Sequence, residues 1–468
     1  MREMRALATT GFLGTGFLEE SLNRAMEARP DFIGCDAGST DPGPYYLGSG
    51  ETQASRAATK RDLRLMLLEG QRAGVPVIVG SAGTAGGDPH LSFTRSIVEE
   101  IANEEGLSFR LAVIHAELDR SYLKEKLRAG RVRPLQPAPV FDEEAVDRAA
   151  RIVAQMGAEP FMAALDAGAE VILAGRSSDT SIYAAVPLLA GCQPGPTWHA
   201  AKILECGAAS VVHRLYPDCL MAWIRDDDFI VESPNPAMRC TPVSVVAHTL
   251  YENADPYHLY EPSGMLDTSE AKYEPLGERA VRVTGSRFVP AERYTVRLEA
   301  AQHLGHRFTV IAGIRDPVVL RQLDRFLGGL RETIAHKVSA SLQLSLEHDC
   351  RLHFRVYGKN ATMGHLEPHN ALDGHEVGLV IDVIAGSAEQ ARAVINIAWH
   401  TALHHPVSEW TGLISNLAFP YSPPELDGGP VYRFCANHLL ELDDPGEPFR
   451  IEYANIGQPA QRRAAGGQ

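Results

Sequence analysis

Short apolar runs and longer amphipathic segments alternate through the first half of the chain. The runs Ala6–Thr10, Asp31–Cys35, Val75–Gly80, Arg110–His115 and Glu170–Ala174 are compact and bounded by polar or glycine-rich turns, which predicts strands. Between them, apolar residues recur every three or four positions over Leu18–Ala28, Gln53–Ala73, Ser92–Glu105 and Glu143–Ala167, which predicts helices. Strand and helix in alternation imply an α/β fold with a parallel sheet flanked by helices in the N-terminal half. Such sheets bind ligands beyond the carboxyl ends of their strands. Each strongly polar loop in this half follows a strand end.

From about Asp227 the pattern changes. Proline-rich connections at Ser233–Pro236 and Glu261–Gly264 lead into β-type runs at Ala280–Thr284, Tyr294–Ala300 and Arg307–Ile314. A helical segment, Pro317–Ala340, precedes strands at Arg351–Tyr357 and His375–Ala385 and a helix at Gln390–Leu403. This order is compatible with a second, α+β domain of ferredoxin-like type. The expected division is 1–230 for the α/β domain with the main polar loops and 231–458 for the α+β domain. Residues 459–468, rich in Ala, Gly and Gln, read as a disordered tail.

With 468 residues, two domains are the natural expectation. A net charge of −15 argues against a nucleic-acid surface, which needs clustered Lys and Arg, but leaves room for a small anion held by local groups. The seven cysteines are scattered without a CxxC pair, so neither a disulfide frame nor a structural zinc site is expected, and a cytoplasmic setting fits. The N-terminus does not read as a signal peptide, and no run approaches a membrane span of roughly 18 apolar residues.

Candidate chemistry lies in the loops. Gly11–Gly16 follows the first strand, yet lacks a full GxGxxG and an acidic ribose partner, so it reads as a tight turn rather than a nucleotide loop. The second loop, Asp36 to Tyr46, carries Asp36, Ser39, Thr40 and Asp41. Paired carboxylates can split into acid and base or take a hard cation; helix capping is the competing reading. The third, Gly80–His90, offers small residues (Gly83, Thr84, Gly86, Gly87) whose amides could approach a carboxylate, phosphate or CoA pyrophosphate; a flexible connector is the alternative. Asp88 and His90 are candidate acid–base groups there.

His115 and Glu117 form a fourth pair, able to ligate a metal or relay a proton, with a plain surface pair as the competing reading. The fifth loop places Arg176, a planar fork for an anion, beside Ser178 and Asp179, which also suits an N-cap. Further on, His199, Lys202 and Glu205 share one helix face, where a Lys–Glu ion pair is the plain reading, and Cys206 follows. The many histidines lack HExxH spacing, so no transition metal is assigned.

Several of these stretches, in order, resemble the acyclic terpene utilisation (AtuA-like) family. They are the Gly11–Gly16 turn, the glycine-rich third loop, Gly175-Arg176-Ser177-Ser178-Asp179 and Leu204-Glu205-Cys206-Gly207-Ala208. Pro256–Pro262, Val283–Ser286, Gly358–Ala361 and Asn416–Pro420 continue the resemblance, which covers roughly residues 5–455. It implies a catabolic role through acyl-CoA intermediates and a small companion subunit, without catalytic residues to carry over. Asp36–Tyr46 is more polar than the family's usual stretch and is read as the segment that sets the substrate.

The expected function is therefore an enzyme of lyase, hydratase or isomerase type acting on a small carboxylic acid or its CoA thioester. Asp36, Asp41, Asp179, Glu205 and His90 are the acid–base candidates. Ser39, Thr40, Gly83, Thr84, Gly86, Gly87, Arg176 and Ser178 are the substrate-binding candidates. No cofactor is predicted, with a divalent cation at Asp36, Asp41 and Asp179 as an option. The expected partners are a small anionic substrate, a second copy of the chain and the companion subunit, with neither nucleic acid nor membrane. The alternatives are a non-catalytic assembly subunit and a cation-assisted hydrolase. The absence of a GxSxG elbow argues against an α/β-hydrolase.

Overall fold

The computed structural model describes residues 3–369, 371–408 and 415–457. The expected tail at 459–468 lies outside the described residues. The chain divides into two compact units, one of residues 1–302 and 434–468, the other of residues 303–433.

Five parallel strands form the centre of the first unit's sheet, in the order Glu3–Ala8, Phe32–Asp36, Val77–Gly80, Val171–Ala174, Phe109–Ile114. The three middle strands are buried along their whole length, as expected for parallel strands covered on both faces. Their side chains alternate between two cores. Leu7, Ile33, Val79, Val113 and Leu173 pack with the helices Glu19–Glu27, Arg56–Ala73 and Asp88–Glu105. Ala6, Phe32, Ile78, Ile114 and Ile172 pack with Glu159–Asp166, Ser181–Leu189 and Pro194–Leu204. The predicted α/β layering is thus present.

Antiparallel strands extend this sheet at both sides. Leu220–Arg225, Asp228–Glu232, Ala280–Thr284 and Lys272–Leu276 continue it beyond Glu3–Ala8, and Ile451–Ile456 closes it against Phe109–Ile114. Residue 230, expected at a domain boundary, instead lies within a strand of this sheet. The proline-rich connections after it are turns within one unit, so the change in composition there marks a switch from parallel to antiparallel strands.

The predicted helix Glu143–Ala167 is a correction of more consequence. It is three elements: a helix Glu143–Arg148, a strand Ala149–Gln155 and a helix Glu159–Asp166. The strand pairs antiparallel with the start of the long strand Tyr294–Ile314, with Val153 opposite Glu299. An alanine-rich run reads as helix on propensity, and the waiting partner strand overrides it.

In the second unit, Cys350–Tyr357 and the end of the Tyr294–Ile314 strand flank Val377–Ala385, all antiparallel. Leu323–Leu342 and Ala388–His404 cover the sheet, and Phe326, Leu330, Ile334, Val394 and Ala398 join Val310, Leu352 and Ile381 in its core. The α+β character expected of this region holds. No helix among the described residues is long and apolar enough to cross a membrane.

Candidate active site

Asp36 ends its strand, and the alternation of the strand sets its direction. Phe32, Gly34 and Asp36 face the helix Ser181–Leu189, where a Cβ at Gly34 would lie 2.5 Å from the Tyr183 ring. Asp36 is buried, and its Oδ1 has no hydrogen-bond partner among the described residues. Burial pushes its carboxyl well above the usual range, and the Asp179 charge adds to this against the opposing pull of Arg176.

Arg176 stands beside it, buried, with its fork already engaged. Its Nε donates to Glu299 Oε2 at 2.8 Å, and Nη1 reaches Asp179 Oδ1 at 3.2 Å, Ser81 Oγ at 3.1 Å and the Ser177 carbonyl at 3.0 Å. Glu299 arrives on the strand paired with Ala149–Gln155, and Met156, the residue after Gln155, donates its amide to the Arg176 carbonyl. Despite its burial, Glu299 is held below the ordinary carboxylate range by Arg176. Thr40 also hydrogen-bonds Glu299. The arginine proposed to clamp a substrate anion is thus neutralised by two carboxylates of the chain.

A second charged pair lies at the end of the helix Pro194–Leu204. Lys202 Nζ donates to Glu205 Oε1 at 2.5 Å, and both side chains are buried. The Glu205 carboxyl is raised, by burial first and by Asp179 and Glu261 next, against the pull of Lys202. His199, on the same helix, turns elsewhere: its ring nitrogens meet Ser286 Oγ at 2.7 Å and Thr249 Oγ1 at 2.9 Å. Glu261 accepts from Ser178 Oγ at 2.6 Å and Thr180 Oγ1 at 2.5 Å, and burial raises it to about 7. Together Asp36, Asp179, Glu205, Glu261 and Glu299 form one electrostatic network with only Arg176 and Lys202 as buried cations.

Asp179 keeps 32% of its side-chain surface, so the network reaches solvent there. Its carboxyl is raised by burial against Arg176, with the Asp41 charge adding to the rise. Asp41 is exposed, its carboxylate accepting from Ser39 Oγ at 2.8 Å. A cavity of about 620 Å³ is lined by Cys206, the residue after Glu205, with Thr10, Phe12, Arg214, His248 and Tyr251 among others. The second unit has a groove of about 710 Å³ lined by Arg315, Arg321, Arg325 and Lys359. Its lining holds no buried carboxylate, whereas the buried carboxylate cluster lies in the first unit.

The two glycine-rich turns bind anions that belong to the chain. In Gly11–Gly16, the amides of Gly14 and Gly16 donate to the buried Asp62 carboxylate at 2.9 and 3.0 Å. Gly11 itself serves close packing: a Cβ there would sit 2.6 Å from the Cys206 backbone. In the third loop, the Asp88 amide donates to Glu117 Oε2 at 3.0 Å and the Gly87 amide to His90 Nδ1 at 3.0 Å. The Ser81, Ala82 and Thr84 amides bond the Gly175, Ala174 and Ala37 carbonyls. Thr84 Oγ1 accepts from the Gln53 amide. Gly83 and Gly86 provide left-handed turns, and a Cβ at Gly86 would lie 2.1 Å from Arg176 N.

His90 has both ring nitrogens occupied, the second by the Glu51 carbonyl at 2.9 Å, and burial pushes its pKa to about 4. It is neutral at pH 7 and closes the capping box of its helix. His115 meets Asp88 at 2.7 Å, completing a patch with Glu117.

The structure therefore brings together Asp36, Asp179, Arg176, Ser178, Thr40 and Glu205, and leaves Asp41 and Ser39 at the exposed rim. Gly83, Thr84, Gly86, Gly87 and His90 shape the adjoining loop. Sequence reasoning missed Glu299 and Glu261 as members. Glu261 stands in the Pro256–Pro262 stretch, at the end of the strand His258–Glu261, and its signal was an acid beside the proline-rich connection Glu261–Gly264. Glu299 gave no signal apart from its place in a strand.

Fold and site define an α/β protein with a buried cluster of carboxylates near a cavity. The family model described as acyclic terpene utilisation family protein AtuA matches residues 53–209 and 227–416. The chain belongs to that family, which carries a catabolic context. Neither a curated protein nor a solved structure matches it.

Proposed function

We propose that this chain is an enzyme of lyase, hydratase or isomerase type acting on a small carboxylic acid or its CoA thioester during acyclic terpene breakdown. The observation that carries this reading is the carboxylate Asp36, which is buried, has an unpartnered Oδ1 among the described residues and is raised toward neutrality. A carboxyl so placed tends to hold its proton and, once ionised, takes one from carbon or water more strongly than one in solution, because its charge is poorly solvated. Glu261, near 7, is positioned to hold or return a proton at the same pH.

A substrate anion needs a cation that the fold does not already use. Arg176 is neutralised, whereas Arg214 is exposed and lines the cavity beside Cys206 and His248. We assign the substrate carboxylate or thioester phosphate to Arg214, with the acyl part entering toward Glu205 and Asp36. The family's catabolic context supports a branched acyl substrate.

The test is turnover of a panel of branched free acids and CoA thioesters by the full chain. Conversion of at least one, lost on Asp36→Asn with the fold retained, supports the reading. Conversion undiminished in Asp36→Asn would overturn it.

A further inference from the structure

Cys206 follows Glu205 at the C-terminal end of the helix Pro194–Leu204, and His248 comes from the helix Pro242–Thr249. A carboxylate oxygen of Glu205, the Cys206 sulfur and a ring nitrogen of His248 all lie within 4.8 Å of one another. Among the described residues these three are the one such group of potential ligands. They come from two separate elements, the end of the helix Pro194–Leu204 and the helix Pro242–Thr249.

His248 supplies an independent sign. It keeps only 6% of its surface, and its Nε2 has no hydrogen-bond partner among the described residues. The Lys202 backbone bonds the ring, and Tyr251 stacks on it at 5.5 Å. One ring nitrogen tied to backbone with the other left as a bare acceptor is how ligating histidines are oriented. As a structural histidine it would bury an unsatisfied nitrogen, which destabilises a fold.

Buried positive charge is scarce in the carboxylate network, although the exposed Arg214 lies near enough for its charge to bear on His248. Five networked carboxylates share the two cations Arg176 and Lys202. Lys202 engages Oε1 of Glu205, and a carboxylate offers a second oxygen. Nitrogen, sulfur and oxygen donors together suit a borderline-soft divalent ion of the zinc class.

We propose that Glu205, Cys206 and His248 form a site for a zinc-class divalent cation, with its open coordination positions facing the 620 Å³ cavity. On binding, Cys206 releases its thiol proton to solvent and ligates as thiolate, so affinity rises with pH. Three protein ligands and an open position are the arrangement of a catalytic rather than a structural ion. With the ion bound, Glu205 is a ligand and proton transfer rests with Asp36. The inference stands apart from the reaction proposed above, because its readouts are metal content, spectrum and thiol reactivity.

The experiment uses the full chain, stripped with chelator, dialysed and titrated with Zn²⁺ and Co²⁺. One equivalent retained, and a thiolate-to-Co²⁺ charge-transfer band that Cys206→Ser abolishes, are the expected results. His248→Gln weakens binding by at least tenfold. In case a variant misfolds, the wild-type chain is also alkylated with and without Zn²⁺: Cys206 is the one cysteine that is not buried. Its modification slows with Zn²⁺ if the site is real. No retained ion, or alkylation of Cys206 unaffected by Zn²⁺, would overturn the proposal.

Discussion

Arg176 and Glu299, 123 residues apart, are joined at 2.8 Å in the interior. The pair welds the loop after Val171–Ala174 to the strand that begins at Tyr294. Breaking a buried pair strands one charge in a low-dielectric interior, which costs about 3–5 kcal/mol. Glu299→Gln should therefore lower stability by that order in urea denaturation. Arg176→Lys keeps the charge but loses the fork, and should cost less. Equal stability in all three chains would mean that the pair does not act as a unit.

Glu261 makes stability depend on pH in a definite direction. Its folded pKa of about 7 lies above the ordinary 4.5, so the folded chain keeps a proton that the unfolded chain has released across that window. Stability is then greatest on the acid side and falls as pH rises from about 4.5 to 7, by on the order of 3 kcal/mol. Other groups add their own slopes, so the readout is a difference. Glu261→Gln should remove this downward component between pH 5 and 7.

His90 is a structural group in this account. Both ring nitrogens are bonded and its pKa is depressed to about 4. His90→Ala should cost about 1–2 kcal/mol, the scale of a lost helix cap. The pH–rate profile, scaled to its maximum, should coincide with that of wild type. A profile that loses a limb would instead make His90 an acid or base of the reaction.

Gly86 tests the seam between the third and fifth loops. Its φ is +66°, and an added Cβ would meet Arg176 N at 2.1 Å, a backbone atom with no easy retreat. Gly86→Ala should destabilise by on the order of 2–4 kcal/mol and disturb the Arg176 cluster. Gly130→Ala, with φ +69° and open space around it, pays only the backbone strain and is the control.

Arg214 separates binding from chemistry. Being exposed at the cavity and outside the buried network, it should affect substrate affinity alone. Arg214→Ala is expected to raise KM about tenfold with little change in kcat, as for an interaction equal in ground and transition states. A fall in kcat with KM unchanged would give the residue another role.

Much of this architecture was legible because period and position agree. Buried parallel strands give continuous apolar runs, and the loops at their ends carried Asp36, Arg176 and Asp179 together. The strand Ala149–Gln155 was hidden because its composition favours helix and only its partner, with Glu299 146 residues on from Val153, decides otherwise. Glu299 was hidden with it. The glycine-rich turns misled for a different reason. Their amides do face carboxylates, but Asp62 and Glu117 supply them from elsewhere in the chain, a pairing that local sequence cannot reveal.

The central claim is that Asp36 moves a proton in the substrate, and isotope exchange reads it most directly. The full chain is incubated in D₂O with the branched acyl panel, and deuterium uptake into recovered substrate is followed by mass spectrometry. The account predicts uptake by wild type and at least a hundredfold slower uptake by Asp36→Asn with its thermal transition preserved, the usual scale for a lost acid or base. Uptake at the wild-type rate in a folded Asp36→Asn chain would contradict it.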